Sequence, residues 1–307
     1  MTEILRDLVE EAKLDRVAVL RRLVERLGAI KPAGEDRFVV APAAGAFDRV
    51  YGGQSLAEAL MAAAATAPAE RRVNSAHAYF LRLGDPTLPT HYVVERLRDT
   101  RSFSVRQVRA EQAGLPILTA TFSFASPNHG IAHQGTMEDA PPPDDLTSRD
   151  LELMALYGAE LPRNAGIPWP IDIRHADHRP WNDAIGSGRH RLWMRTDEDL
   201  PDDPLLHAAV LLYASDLTMA DAVTVQHPLK WRDLIDGRGM FGASLDHAFW
   251  LHAPARIDDW LLHVQESPRA ADGRGLTTGR FYDRSGALVA SVAQEIFIKT
   301  VAGERTA

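Results

Sequence analysis

The sequence predicts an α+β protein in which a strand-rich unit, built around one helix, occurs twice. Three observations support this fold class. Alternating apolar and polar positions predict long antiparallel strands, a helix precedes the strands in each half, and short sequence blocks recur in the same order. The chain has 307 residues, which at about 150 residues per domain allows two domains. The alternating strand–helix pattern of an α/β barrel is absent.

Each copy begins with a predicted helix, at Gly53–Ala65 in the first copy and at about Pro204–Ala214 in the second. Alternation predicts strands at Tyr92–Leu97 and Phe103–Arg109. Gln112–Gly114 reads as a hairpin turn, and Asp283–Gly286 takes the matching place in the second copy. The predicted units are therefore helices followed by antiparallel hairpins.

Recurring blocks align the two copies at offsets of 170 to 173 residues. We therefore expect His77 to be equivalent to His247, Asn74 to Ser244, and Thr121 to Gln294. The matching blocks are His77–Leu81 with His247–Leu251, Arg101–Ser104 with Arg274–Thr277, and Thr121–Phe124 with Gln294–Phe297.

Composition shifts along the chain predict its domain organisation. The first residues show apolar positions at helical spacing, namely Leu5, Leu8, Val9, Val17, Leu20, Val24 and Leu27. The middle segment is rich in Pro, Gly, His and Asp, which is typical of a linker, with a short helix predicted at Leu151–Tyr157. The predicted parts are a helical lead-in at 1–29, an N-terminal unit at 30–126, a linker at 127–188, a C-terminal unit at 189–299 and a tail at 300–307.

Composition also excludes several classes of function. The chain has no cysteine, which excludes thiolate nucleophiles, disulfides and cysteine-ligated zinc. Its net charge of −8 argues against a nucleic-acid partner. The most apolar run, Leu56–Ala67, contains Glu58 and is shorter than the roughly 18 residues of a membrane span. The N-terminus lacks the pattern of a signal peptide, so we expect a cytoplasmic protein without a membrane span.

Four long blocks resemble the acyl-CoA thioesterase II family. Val50–Leu60 and Ser75–Asp85 are similar to its N-terminal half, and Ser244–His252 and Leu288–Glu295 to its C-terminal half. The resemblance runs from about residue 15 to residue 299 and is weakest in the linker. It implies a double hotdog, in which two fused units each wrap a curved antiparallel sheet around a central helix. It also implies hydrolysis of a fatty acyl-CoA substrate to free fatty acid and CoA in fatty acid metabolism, no cofactor, and assembly into a homo-oligomer.

The family uses an Asp, a Thr or Ser, and a Gln, all in the C-terminal unit, and the matching positions are Asp216, Ser244 and Gln294. A thioester has a leaving thiol with a pKa of about 8.5, so hydrolysis needs no strong general acid. It needs a positioned water, a base and donors for the oxyanion. We expect Asp216 to accept the proton of the water while Ser244 and Gln294 orient it. The helix of the first copy offers no clear equivalent of Asp216, so we expect that unit not to be catalytic.

Other chemistries are weighed against this interpretation. Asp246 and His247 beside Ser244 suggest a serine hydrolase, but strand alternation places His247 on the face opposite Ser244, and the G-x-S-x-G motif is missing. A hotdog enoyl-CoA hydratase would need His247 or His252 to face the substrate. A non-catalytic acyl-CoA-binding protein is favoured only if Asp216 is exposed and unpaired.

Two further motifs are expected to have structural roles. Histidines in the predicted linker could ligate a metal, but a solvated loop is the better interpretation, and we expect no metal site. Gly52 and Gly53 precede a helix without the lysine of a phosphate-binding loop, so we expect them to permit close backbone approach. The linker residues concerned are His129, His133, His175, Asp177 and His178.

Overall fold

Thirteen antiparallel strands form one continuous sheet in the described part of the chain. The computed structural model describes residues 3–42, 49–158, 168–181, 185–228 and 240–300. The helices are α1 (Glu3–Gly28), α2 (Gly52–Ala64), α3 (Arg149–Tyr157), α4 (Pro204–Ser215) and α5 (Asp221–Thr224). The strands are β1 (Lys31–Gly34), β2 (Arg37–Val40), β3 (Arg72–Phe80), β4 (Thr90–Asp99), β5 (Phe103–Gln112), β6 (Leu115–Ala125), β7 (Asp172–His175), β8 (Arg189–Arg195), β9 (Met240–Ser244), β10 (Asp246–Leu251), β11 (Leu261–Ala271), β12 (Arg274–Asp283) and β13 (Leu288–Thr300).

The strand order is symmetric about the centre of the sheet. Strands β3 and β10 pair at the centre. Outward from them lie β6, β5, β4, β2 and β1 on one side, and β13, β12, β11, β8 and β7 on the other, while β9 pairs with β13. The order confirms the predicted α+β class and the duplicated unit. The exact boundaries of the units, at residues 30, 126, 189 and 299, stay predictions.

Helices α2 and α4 pack against each other on one face of the sheet and form the centre of the core. Every residue of Leu206–Ser215 in α4 is buried, as expected of a helix that is apolar on all sides. Helix α2 presents small residues, Ala57, Ala59, Ala62 and Ala63, which are fully buried and allow close packing. The residue that follows α4 touches the first turn of α2, so the two helices run antiparallel.

The predicted hairpin turns are present. Ala113 and Gly114 join β5 to β6 with φ values of 48° and 77°, the left-handed pair that a two-residue type I′ turn requires. In the second unit Asp283 begins the turn between β12 and β13, and its carboxylate accepts hydrogen bonds from the N–H groups of Ser285 and Ala287. Both turns therefore hold equivalent strands in register.

The pairing of β3 with β10 corrects the predicted alignment of the two copies. His77 lies directly opposite Ala248, and Ala76 lies opposite Phe249. An approximate two-fold axis, perpendicular to the sheet, passes through the His77–Ala248 pair and relates the two units. Such an axis relates only residues whose side chains lie on the same face of the sheet. It therefore makes Ala76 the counterpart of His247. His77 is exposed on the outer face, whereas His247 is buried beneath the helices. The expectation that these two histidines are equivalent is wrong by one residue.

The same correction changes the counterparts of two predicted site residues. Ser244 pairs with Ile296 as Val73 pairs with Phe124, so Val73, and not Asn74, corresponds to Ser244. Continuing the register along β13 relates Gln294 to Phe122 rather than to Thr121. The alignment based on short identical blocks was wrong because it was shifted by one residue. Since adjacent residues of a strand point to opposite faces of the sheet, a shift of one residue pairs side chains from different faces.

The lead-in and the predicted linker also contribute to the core. Leu20, Leu23 and Leu27 of α1 are buried, while the side chains of Leu5, Leu8 and Val9 lie outside the described residues. Within residues 127–188, β7 pairs with β8 at one end of the sheet. None of the helices in the described ranges has the length and apolar character needed to cross a membrane.

Candidate active site

The three predicted site residues lie together, although they come from separate elements. Asp216 directly follows α4, Ser244 ends β9, and Gln294 lies within β13. The Ser244 hydroxyl donates to Oδ1 of Asp216 at 3.0 Å. Gln294 Nε2 donates to the same oxygen at 2.8 Å and to Ser244 Oγ at 2.6 Å. The side chains thus form a closed hydrogen-bonded triangle, and Asp216 and Gln294 are buried.

The second carboxylate oxygen of Asp216 is held by the other unit. The backbone N–H of Gly53, in the first turn of α2, donates to Oδ2 at 3.0 Å. This places the carboxylate at the positive end of the helix dipole. The Tyr51 hydroxyl donates to the carbonyl of Tyr213 at 3.0 Å. Burial and the negative charge of Asp216 raise the pKa of both tyrosines, so both hydroxyls remain protonated at neutral pH.

Two glycines make this contact between the units possible. A Cβ atom on Gly53 would lie 2.6 Å from the ring of Tyr51 and 2.7 Å from the carbonyl oxygen of Tyr213. A Cβ atom on Gly52 would lie 2.8 Å from the ring of Phe80. Because real Cβ atoms do not come so close to backbone, only glycine fits at position 53, and at position 52 the Phe80 ring would have to move. The interpretation that these residues permit close backbone approach is confirmed for Gly53, whereas Gly52 allows close approach of the Phe80 side chain.

A β-bulge precedes β10 and determines which side chains face the site. Ser244 pairs with Ile296 and Ala248 pairs with Ala293, so four steps on one strand match three on the other. The carboxylate of Asp246 accepts the N–H of Glu295 at 2.7 Å and holds the bulge. The extra residue turns His247 to the same side as Ser244. The expectation that His247 faces away from Ser244 is therefore wrong.

Both ring nitrogens of His247 are engaged. Nδ1 lies 2.5 Å from Oε1 of Gln294, and Nε2 lies 2.8 Å from Oγ of Ser215. Burial lowers the pKa of His247, although the charge of Asp216 and the bond to Gln294 oppose this, so the ring is neutral at pH 7. Because neither nitrogen is left for Ser244, the geometry does not form a Ser-His-Asp triad.

Comparisons with known proteins identify the chain. The profile of the acyl-CoA thioesterase family matches residues 167–297, and that of the acyl-CoA thioesterase N-terminal domain matches residues 41–125. Human acyl-coenzyme A thioesterase 8 is 36% identical over 264 residues, which cover 82% of this chain and 81% of the human protein. Acyl-CoA thioesterase 2 of Haemophilus influenzae is 34% identical, over 82% of this chain and 88% of that protein. The chain belongs to the acyl-CoA thioesterase II family.

Solved structures agree with this assignment. An acyl-CoA thioesterase II from Mycobacterium marinum superposes with a TM-score of 0.75 at 34% identity, covering 92% of this chain and all of that one. A hot dog fold protein from Alicyclobacillus acidocaldarius superposes with a TM-score of 0.72 over 91% of this chain and 98% of that chain, at 20% identity. The protein is thus a thioester hydrolase, and the predicted double hotdog is confirmed.

In the thioesterase, a cavity lined by residues of both units lies at the place related by the two-fold axis to the candidate site. The cavity, of about 920 Å³, lies between the end of α2 and the start of α4, at the opposite end of the helix pair from Asp216. Val73 and Phe122, the counterparts of Ser244 and Gln294, are buried and apolar. Ala64 ends α2 and is followed by Ala65, so no carboxylate takes the place of Asp216. Within the described residues, the polar set occurs in the C-terminal unit alone.

One further cluster of the thioesterase brings potential metal ligands together. Ligand atoms of His175, His190 and Asp221 lie within 4.8 Å of one another. The two rings already hydrogen-bond at 2.9 Å, and the charge of Arg149 acts on both His175 and Asp221, which disfavours a cation there. His129 and His133 are exposed as expected, but the expectation of a solvated loop is wrong for His175, which is buried in β7.

Proposed function

We propose that the chain hydrolyses fatty acyl-CoA thioesters to free fatty acid and CoA with a water molecule activated by Asp216. The triangle of Asp216, Ser244 and Gln294 supports this mechanism. A buried carboxylate that touches a hydroxyl and a carboxamide has lone pairs left for one water. The sequence relationship to acyl-CoA thioesterases supplies the substrate class.

Each side chain has a distinct role in this proposal. Both N–H bonds of Gln294 are used, one on Asp216 and one on Ser244, so Gln294 fixes these two groups rather than donating to the water. Ser244 Oγ gives its hydrogen to Asp216, accepts from Gln294 and keeps one lone pair. The water donates one hydrogen to Asp216 and the other to Ser244 Oγ. Its free lone pair is then directed toward the carbonyl carbon of the thioester.

The reaction proceeds in two balanced steps. The water oxygen bonds to the carbonyl carbon as its proton passes to Asp216, which leaves a tetrahedral oxyanion. Collapse of this oxyanion breaks the C–S bond, and Asp216 returns the proton to the departing CoA thiolate. Because the thiol has a pKa of about 8.5, the thiolate is a good leaving group. The N–H of Gly53 is occupied by Asp216 and is not free to bind the oxyanion in this arrangement.

The alternatives fit the geometry less well. A binding protein without activity was favoured only for an exposed, unpaired Asp216, yet this residue is buried and accepts three hydrogen bonds. A hydratase needs a histidine free to face the substrate, but both nitrogens of His247 are engaged. His252 hydrogen-bonds to the hydroxyl of Ser291 at 2.8 Å. Neither alternative is favoured.

Release of free thiol from acyl-CoA substrates of increasing chain length, followed with a thiol reagent, tests the function. We expect turnover with fatty acyl chains, and the absence of thiol release with every chain length would overturn the proposal. Loss of enoyl absorbance from an enoyl-CoA, without thiol release, would instead indicate a lyase. We further expect a cytoplasmic homo-oligomer, which light scattering of the purified protein and cell fractionation would test.

A further inference from the structure

The carboxamide of Gln294 supports the triangle in only one of its two orientations. Nε2 lies 2.8 Å from the carboxylate of Asp216 and 2.6 Å from Ser244 Oγ. After rotation by 180°, Oε1 would face the carboxylate, and two acceptors would repel each other at hydrogen-bond distance. Because the two ends of a carboxamide are nearly equal in shape, packing alone does not select the orientation. A polar group on the far side of the amide must do so.

His247 is that group. Its Nδ1 lies 2.5 Å from Oε1 of Gln294, deep in the core. An amide oxygen can only accept, so the ring proton must sit on Nδ1, and Nε2 of the neutral ring must accept. The hydroxyl of Ser215 lies 2.8 Å from Nε2, and its single hydrogen also has the carbonyl oxygen of Leu212 within reach at 2.9 Å. The proton on Nδ1, held against Oε1, therefore fixes the direction of the amide.

These contacts form a chain of hydrogen bonds from His247 through Gln294 to Asp216. His247 donates to Gln294, and Gln294 donates to Asp216, while Nε2 of His247 contacts Ser215, the residue before Asp216. The N-terminal unit lacks both central members, since Ala76 stands in the place of His247 and Phe122 in that of Gln294. The histidine and the carboxamide are thus present together in one unit and missing together in the other.

We propose that His247 is a positioning residue, which holds the amide of Gln294 in the orientation that keeps Asp216 and Ser244 ready for the water. The inference rests on the proposed function of those three residues. His247 takes no proton from the substrate and acts through Gln294 alone. Its contribution should therefore appear in kcat and depend on the presence of Gln294.

Two substitutions of similar size separate this role from a merely structural one. His247→Asn keeps an N–H donor at the position of Nδ1, whereas His247→Gln places its amide at the position of Nε2. We expect His247→Asn to keep kcat within a few-fold of wild type. His247→Gln should lower kcat by about 10- to 100-fold, as when the orienting partner of a functional side chain is lost, with KM unchanged. Nitrogen NMR of wild type should show the proton on Nδ1.

The same substitution in a Gln294→Ala background provides the decisive control. If His247 acts through the amide, His247→Gln should have no further effect on kcat once Gln294 is absent. Equal losses in the Asn and Gln variants, or a full additional loss in the Gln294→Ala background, would overturn the inference in favour of a structural role. Wild-type kcat in His247→Gln would also overturn it. Asp216→Asn, measured in parallel, tests the proposed function itself: if that variant stays fully active, the proposed mechanism fails whatever His247 does.

Discussion

Replacing Asp216 by Asn tests the central step of the mechanism. The variant keeps the size and one acceptor oxygen of the side chain but cannot take up the proton of the water. We expect kcat to fall by about 10²- to 10⁴-fold, the usual contribution of a general base. This corresponds to about 2.7–5.4 kcal/mol of transition-state stabilisation. KM should change little, because Asp216 is not expected to bind the CoA moiety.

The structure also predicts the effect of this substitution on stability. Oδ1 accepts two hydrogen bonds and Oδ2 accepts one, so the single oxygen of Asn should take the place of Oδ1. The amide nitrogen then faces the N–H of Gly53, and two donors meet in a buried position. Leaving one buried donor without an acceptor costs about 1–3 kcal/mol in the free energy of unfolding. Urea denaturation should detect a loss of this size.

Steady-state thiol release, with unfolding measured on the same samples, separates the two effects. Asp246→Asn is the matched control: its carboxylate accepts the N–H of Glu295 in the adjacent bulge, and an Asn oxygen can accept that hydrogen bond equally well. We expect this control to remain close to wild type. Retention of kcat within a few-fold in Asp216→Asn would refute the assignment of Asp216 as the base.

Three further predictions concern other parts of the molecule. Ser244→Thr should retain hydrolysis and Ser244→Ala should lower kcat less than Asp216→Asn does, whereas an acyl adduct on Ser244 in rapid-quench mass spectrometry would contradict water activation. Gly53→Ala should destabilise the fold by about 1–3 kcal/mol in urea denaturation, since its Cβ would overlap the ring of Tyr51; unchanged stability would disprove the close contact. Burial raises the pKa of Asp150 to about 6, above its value of about 3.9 in an unfolded chain. The neutral carboxyl group of Asp150 therefore stabilises the folded protein at low pH. The free energy of unfolding should fall by up to about 3 kcal/mol as pH rises from about 4 through 6. Asp150→Asn should lack this loss, and parallel pH profiles of stability for wild type and variant would show the prediction to be wrong.

Local patterns in the sequence predicted the elements of this fold well. The helix predicted at Gly53–Ala65 is found at Gly52–Ala64, and the one predicted at Pro204–Ala214 ends one residue later. Apolar periodicity and turn residues act over a few neighbours, so one chain segment contains the necessary information. The burial of β7 was missed because its short strand depends on pairing with β8, not on its own composition.

The candidate site shows the limit of such reasoning. Resemblance to a family suggested Asp216, Ser244 and Gln294, and the structure brings their side chains into contact. The environment of His247 was misjudged because the preceding bulge arises from pairing between strands, which alternation in a single strand does not reveal. Nor could spacing show that Gly53, far away in the chain, would hold the carboxylate. The Gly52-Gly53 pair before an alanine-rich helix was the one local signal of a close approach.

The hydrogen bond from Gly53 to Asp216 makes the candidate site depend on both units of the chain. One copy supplies the side chains of the polar triangle, and the other supplies a main-chain amide at the start of its helix. The N-terminal unit has Val73 and Phe122 in the positions of Ser244 and Gln294, but its backbone donor stays in place as long as α2 keeps its position and Gly53 has no Cβ. The isolated C-terminal half of the chain would therefore lack this donor, and one oxygen of its Asp216 would be unsupported.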